Sequence, residues 1–352
     1  MFIHLLVPLI SSALAQGPSL PQAPPSTQPT TRPIGDPRAV RELMQEAKAV
    51  EPLVKTEWVK TFLANTRRLP PFPSRMLMRD ETKNIYFSEA QAATLGSVYR
   101  ETLVYTELTP SFYYFTRYGS PLAYARPLDL LGQRGFDNLS EKKIFDFGYG
   151  GVGHLRLLAS LGAVVVGVEV DPLLHALYSD PADQGAILGE HGVVGSLNLL
   201  DGKYPADPRV VGEVGKGYDL VISKNTLKMG YIHPARKADK RQLIDLGVDD
   251  ATFIQNIYQI LKPGGYFMIY NLCPAPSPPD KPFIPWSDGR CPFARKLFEA
   301  LGFKVLEFDK DDSDLARKLG HALSWDADKD GMDLQHDLFA SYTLLLKPDT
   351  AK

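Results

Sequence analysis

The spacing of apolar positions changes along the chain, and each change marks a different kind of element. From Pro37 to about Leu69, Val40, Leu43, Met44 and Ala47 recur at helical intervals, and Trp58, Phe62 and Leu63 continue them until Pro70, Pro71 and Pro73 break the pattern. A second helical block is expected from Ser88 to Thr106, opened by a Ser-x-x-Gln capping pattern at Ser88 and Gln91. Beyond it, short apolar runs read as strands at Lys143–Phe147, Val164–Val168, Val193–Leu199, Leu220–Ser223, Gly265–Tyr270, Phe303–Phe308 and Phe339–Lys347. Helical stretches fall between them at His154–Leu161, Pro172–Leu177 and Ala251–Leu261. Such alternation predicts an α/β fold: a doubly wound, mostly parallel seven-stranded sheet with an N-terminal helical extension.

Candidate chemistry concentrates at one strand end. After Lys143–Phe147, which carries Asp146, come Gly148, Gly150 and Gly153 in a GxGxxG spacing, then a helix and a second strand ending at Glu169 and Asp171. This is a βαβ unit suited to a nucleoside-bearing cofactor. Glycines allow a tight turn and close backbone approach, and an acid about 20 residues on can grip ribose hydroxyls. Ligands of open α/β sheets bind at the carboxyl ends of strands, so the residues there are the candidates.

The segment from Asp146 to Gly150, the run Val166-Gly-Val-Glu-Val-Asp-Pro172, the segment Tyr218–Ser223 and the Leu261-Lys-Pro-Gly-Gly265 turn before an apolar strand occur in that order. Together they resemble the class I S-adenosylmethionine-dependent methyltransferases, over roughly residues 110–348. The family's commonest loop reads GxGxG, whereas here Val152 takes the third place; that spacing also occurs in nicotinamide-binding proteins and keeps an NAD-dependent oxidoreductase as an alternative. The resemblance implies S-adenosylmethionine (SAM) as cofactor, an antiparallel last strand, and methyl transfer to a small molecule. It implies cofactor contacts from Tyr118, Asp146, Gly148, Tyr149, Gly150, Gly153, Glu169, Asp201, Ser223 and Lys224, with Glu169 on the ribose and Asp201 on the adenine. Tyr124 and Arg126 join Tyr118 as candidates beside the methionine end. His233, as a general base, with Tyr270 and Asn271 facing the acceptor, are the candidate catalytic residues. A second alternative is an exported, catalytically silent protein that binds a small ligand on this fold.

Composition narrows the partners. A formal net charge of −2 provides no broad basic surface, which argues against nucleic acid. The apolar stretch Phe2–Leu14 is too short to span a bilayer and is followed by Ala13-Leu14-Ala15, a small-x-small cleavage pattern, although no Lys or Arg precedes it. Residues 1–15 are therefore read as an export signal, which implies a periplasmic or secreted protein with no stable membrane anchor once the signal is removed. A start further downstream would instead leave a cytoplasmic enzyme. Residues 16–37 read as a Pro-rich linker, 38–109 as a helical cap and 110–352 as the SAM-binding domain. Cys273 and Cys291 are expected either to bridge, in an oxidising compartment, or to be free thiols. No metal ligand is assigned, although Asp326–Asp337 has the acid spacing of a calcium loop. Nothing in the pattern fixes the oligomeric state.

Overall fold

The computed structural model describes residues 35–327 and 331–349. The expected export signal, nearly all of the linker, and Asp328 and Asp330 of the calcium-like loop lie outside the described residues. Among the described residues no helix is long and apolar enough to cross a membrane.

The extension begins with helices Arg38–Val50 and Glu57–Ala64, whose apolar faces (Leu43, Val59, Phe62) enter the main core. The second of these starts without a cap of its own. Buried Asp129 supplies one from a distant helix, accepting from the amides of Lys55 and Thr56 and the Thr56 hydroxyl, each at 2.9 Å. A borrowed carboxylate satisfies orphan amides as a local cap does. The rest of the cap departs from the helical expectation. Strands β1 (Arg75–Asp80), β2 (Ile85–Ser88) and β3 (Val104–Leu108) form a small antiparallel sheet in the order β2-β1-β3. The Ser88–Gln91 capping box does form, but it opens a helix that spans only Glu89–Ala93. The chain breaks near Gly96, and the β-branched and aromatic run Val104-Tyr105-Thr106 pairs as a strand. Arg75 of β1 joins this sheet to the main body through a bidentate pair with buried Asp183, both bonds at 2.6 Å.

The main sheet comprises β4 (Lys143–Phe147), β5 (Val164–Glu169), β6 (Gly185–Leu188), β7 (Val194–Asp201), β8 (Tyr218–Lys224), β9 (Leu261–Cys273), β10 (Lys304–Asp311) and β11 (Phe339–Leu346). Their order is β10-β11-β9-β8-β4-β5-β7-β6. The core β7-β5-β4-β8-β9 is parallel, and β11 enters antiparallel between β9 and β10. This is a doubly wound, mostly parallel α/β architecture with an antiparallel last strand, as expected from the sequence. The eighth strand, β6, is the addition: a short antiparallel edge between Gly185 and Gly189, too brief to show a period in the sequence. Every residue of β8 is buried because both faces of the sheet are covered. One face carries helix Gly153–Ser160, the extension and helix Ser313–Ala322; the other carries Pro208–Val214, Asp250–Ile260 and Arg295–Ala300. Cys273 and Cys291 are free thiols.

The extension is also clamped to the loop before β4, where the Ser120 hydroxyl donates to Glu46 at 2.5 Å. Burial pushes the Glu46 carboxyl up to about 7 from 4.5. The folded state therefore holds its proton more tightly, so the stability Glu46 contributes is full below about pH 4.5 and is lost as pH rises through about 7. Glu46→Gln keeps a partner for Ser120 and removes the buried charge. Its melting temperature should match the parent at pH 4.5 and exceed it at pH 8, by about 2–4 °C for each kcal/mol recovered. Equal melting of the two proteins at both pH values would show that the charge costs nothing there.

Candidate functional site

The carboxyl ends of β4, β5, β8 and β9 and the turn following β7 open onto one cavity of about 720 Å³. Its floor is the turn after β4. Gly148 and Gly150 hold φ of 76° and 61°, left-handed conformations that only glycine adopts without strain. A Cβ on Gly148 would stand 2.3 Å from the Thr226 hydroxyl, and one on Gly150 would stand 3.0 Å from the Tyr118 ring. The turn is stitched to its surroundings by bonds from Gly148 N to Val168 O at 2.9 Å and from Thr116 Oγ1 to Gly150 O at 2.6 Å. Tyr149 lies over Gly167 of β5, where a Cβ would strike its ring at 2.7 Å.

At the tip of β5, Glu169 lines the cavity and accepts from the amides of Val170 (2.8 Å), Gly150 (3.2 Å) and Asp171 (3.3 Å). Burial pushes its pKa up while these amides pull it down. Beside it, Asp171 caps helix Pro172–Leu177 through Leu173 N at 3.1 Å and accepts from the Tyr118 hydroxyl at 3.0 Å and from Arg117. Tyr118 thus roofs the glycine turn. On the opposite side, the end of β8 delivers Lys224, then Asn225 in a left-handed conformation (φ 64°), then Thr226 and Lys228, all lining the cavity. Asn225 is held in that conformation from both sides, its amide donating to Tyr270 O at 3.0 Å and its Oδ1 accepting from Leu272 N at 2.7 Å.

Of the candidates read from the sequence, Tyr118, Tyr124, Gly148, Tyr149, Gly150, Glu169 and Lys224 come together here. The others do not, for reasons of strand parity and loop course. Asp146 is fully buried beneath the turn, 2.6 Å from His154 Nε2, and it is His154 that lines the cavity. Gly153 begins the helix and packs on Pro121, where a Cβ would stand at 2.8 Å; it is a packing glycine. The Asp201 side chain is 46% exposed outside the lining, nearest His175. Ser223 faces away and donates to Phe147 O at 3.1 Å, tying β8 to β4.

All three catalytic candidates stand outside the cavity. His233 pairs with Asp250 at 2.9 Å in a separate surface hollow. The Tyr270 hydroxyl donates to Asp312 at 2.9 Å, and Asn271 Nδ2 donates to Leu227 O and Gly289 O at 2.7 and 2.9 Å. Arg126 is likewise consumed, in a bidentate pair with Asp312 at 2.6 and 2.8 Å.

Sequence reasoning missed His154, Lys228, Tyr231 and Trp286, which all line the cavity. His154 had a usable signal, one helical turn past a glycine bend from an acid. Its imidazole stacks on the Tyr124 ring with centroids 3.6 Å apart. Burial holds its pKa below the ordinary histidine value, against the pull of Asp146. Among the described residues no cluster of three or more His, Cys, Asp or Glu is arranged to hold a metal.

No family model matches the chain, and no curated protein does either. Solved structures do resemble it. The [4+2]-cyclase SpnF is 20% identical, covering 64% of this chain and 81% of its own, with a TM-score of 0.38. A Haemonchus contortus phosphoethanolamine N-methyltransferase 2, in complex with phosphomonomethylethanolamine and S-adenosylhomocysteine, is 14% identical, covering 70% and 63%, with a TM-score of 0.40. The StiE O-MT is 15% identical, covering 66% and 76%, with a TM-score of 0.37.

The turn's geometry separates two neighbouring glycines. Gly148→Ala combines a left-handed conformation with a clash on Thr226 and should lower unfolding free energy by about 1–3 kcal/mol. Gly151→Ala meets nothing nearer than 3.6 Å and should change it by less than about 0.5 kcal/mol. Urea denaturation of the two variants would check this; equal effects would mean the turn relaxes freely.

Proposed function

We propose that this chain transfers a methyl group from S-adenosylmethionine to a small-molecule acceptor held in the same cavity. The observation that carries the reading is Glu169 set against the glycine turn: a carboxylate at the tip of β5, bonded to the Gly150 amide, with both lining one cavity. The residues present fit the donor. Glu169 has an acceptor direction left after its three amide bonds, and the 3.2 Å contact from Gly150 is one that a ribose hydroxyl can displace. The cavity volume lies within the range of about 300–1,000 Å³ usual for small-molecule sites. When bound, SAM supplies a methyl group on a sulfonium centre, already electrophilic.

The protein's part is then mainly positional. Holding two reactants in line and keeping water away supply much of the rate in such a transfer. His154, fixed by Asp146 below and stacked on Tyr124, gives the floor a rigid edge. Tyr118, anchored on Asp171, covers the turn, and Tyr231 and Trp286 wall the far side. The acceptor is read as a small molecule because the chain's net charge of −2 offers nucleic acid no basic surface. A second reading, a ligand-binding protein without turnover, is favoured by one observation: His233, Tyr270 and Asn271 all lie outside the cavity.

Isothermal titration of the full chain with SAM, S-adenosylhomocysteine and NAD tests the donor. The first two should bind with dissociation constants on the order of micromolar, and NAD should not. Glu169→Ala should weaken SAM binding by about 1.5–3 kcal/mol, the scale of a hydrogen bond to a charged group. Preference for NAD would overturn the reading; SAM binding without formation of S-adenosylhomocysteine over an acceptor panel would select the second one.

A further inference from the structure

The cavity is electrically lopsided. Each acid that lines it has its own partner: Glu169 and Asp171 at the β5 end have the backbone amides and Arg117 with Tyr118, and Asp245, in the segment after β8, has Lys203 at 2.9 Å. At the β8 end stand two buried ammonium groups with no such arrangement. Lys224 is 8% exposed and Lys228 4%, and among the described residues no carboxylate lies within 4.0 Å of either. An ammonium can donate several hydrogen bonds, yet the only one made among the described residues is Lys228 Nζ to Leu272 O, at 2.6 Å. Lys224 instead lies over the Tyr124 ring, 5.3 Å from its centroid.

Asp146 of β4 is the one acid facing Lys224, beyond 4.0 Å and with one oxygen committed to His154, so it offsets that lysine only in part; no acid faces Lys228 among the described residues. Lys228 faces the Cys273 thiol, Lys224 and the ring of Tyr231, at 5.5 Å. Burial lowers both lysines to about 8. Two like charges kept out of water and short of partners are costly, and the left-handed Asn225 between them is a further strained element at the same place.

We propose that this end of the cavity binds the acceptor through an oxyanion, a carboxylate or phosphate, seated between Lys224 and Lys228. The body that carries it is flat and apolar, since Tyr124, Tyr231 and Trp286 form the adjoining walls. This rests on reading the cavity as a methyl-donor site. A bound methyl donor would bring a sulfonium charge into the same cavity, and an anionic acceptor would offset part of the total positive charge. Lys224 thereby passes from the cofactor's candidates to the acceptor's.

The test uses the full chain and five probes: benzoate, phenylacetate and phenyl phosphate, with benzamide and phenylacetamide as neutral matches. Each is titrated with and without saturating S-adenosylhomocysteine. The acids should bind about tenfold or more tighter than the amides, and Lys228→Met should remove that advantage while S-adenosylhomocysteine still binds as to the parent. Lys228→Gln serves if the methionine variant does not fold, and the acid-to-amide comparison on the native chain needs no variant. The tighter of benzoate and phenyl phosphate identifies the oxyanion.

Equal binding of acids and amides, or no acid binding, overturns the proposal. So does a Lys224→Met variant that loses S-adenosylhomocysteine but keeps the acids, since the lysine would then serve the cofactor's carboxylate. If the native chain binds acids through these lysines but not S-adenosylhomocysteine, the oxyanion site stands and the methyl-donor reading falls. The reverse result removes only the oxyanion site.

Discussion

The turn from Gly148 to Gly151 is the constraint on which the rest of the site depends, because three parts of the chain meet it closely. Thr226 approaches from the end of β8, Tyr118 from the segment before β4, and Glu169 accepts from the Gly150 amide at the tip of β5. Gly153, at the start of the following helix, is pressed against Pro121. The contacts of Thr226, Tyr118 and Pro121 each require a missing side chain. A backbone this closely approached cannot move one neighbour without the others, since packed interiors transmit displacement instead of absorbing it. The cavity therefore inherits its shape from the turn, and the two strand ends that face each other across it are held at a fixed separation.

The extension matters for the same reason. Pro121 packs on Gly153 from a segment that Glu46 holds in place through Ser120, and the adjoining aromatic Tyr124 is the ring on which His154 stacks. Asp129, in turn, caps the helix Glu57–Ala64 that packs on this layer. What the hydrophobic pattern presents as a separate helical cap is physically part of the wall of the site. Its buried apolar residues belong to the same cluster as those of β4 and β8.

The sheet was largely legible in the sequence because a parallel sheet covered on both faces demands continuous apolar runs, and β4, β5 and β8 supply them. The small sheet β1–β3 was not, since its strands are short and half exposed and Ser88–Thr106 mixes helix and strand formers. Within the site, the glycine turn and Glu169 were readable from spacing alone. The acceptor side was not, because strand parity decides it. Successive side chains point to opposite faces, so at the end of β8 Lys224 meets the cavity while Ser223 turns away to Phe147. At the end of β9 both Tyr270 and Asn271 are consumed by bonds to Asp312 and to the carbonyls of Leu227 and Gly289. His233 reads as a site residue because it follows β8 in a polar stretch, but the short helix Met229–Ile232 carries it outward to Asp250.

Charge follows the same geometry. Parallel strands send their carboxyl ends to one edge, so whatever polar residues close β5 and β8 must face each other across the cavity. At β5 a capped helix and exposed amides are at hand, and the acids there are satisfied locally. At β8 the chain turns through Asn225 under the wall of Tyr231 and Trp286, and no acid follows closely enough in sequence to reach the lysines. Strand order and the glycine turn thus fix more than the cavity's outline. They produce a field across it, neutralised at one end and open at the other, and a ligand that enters must complete that field as well as fill the space.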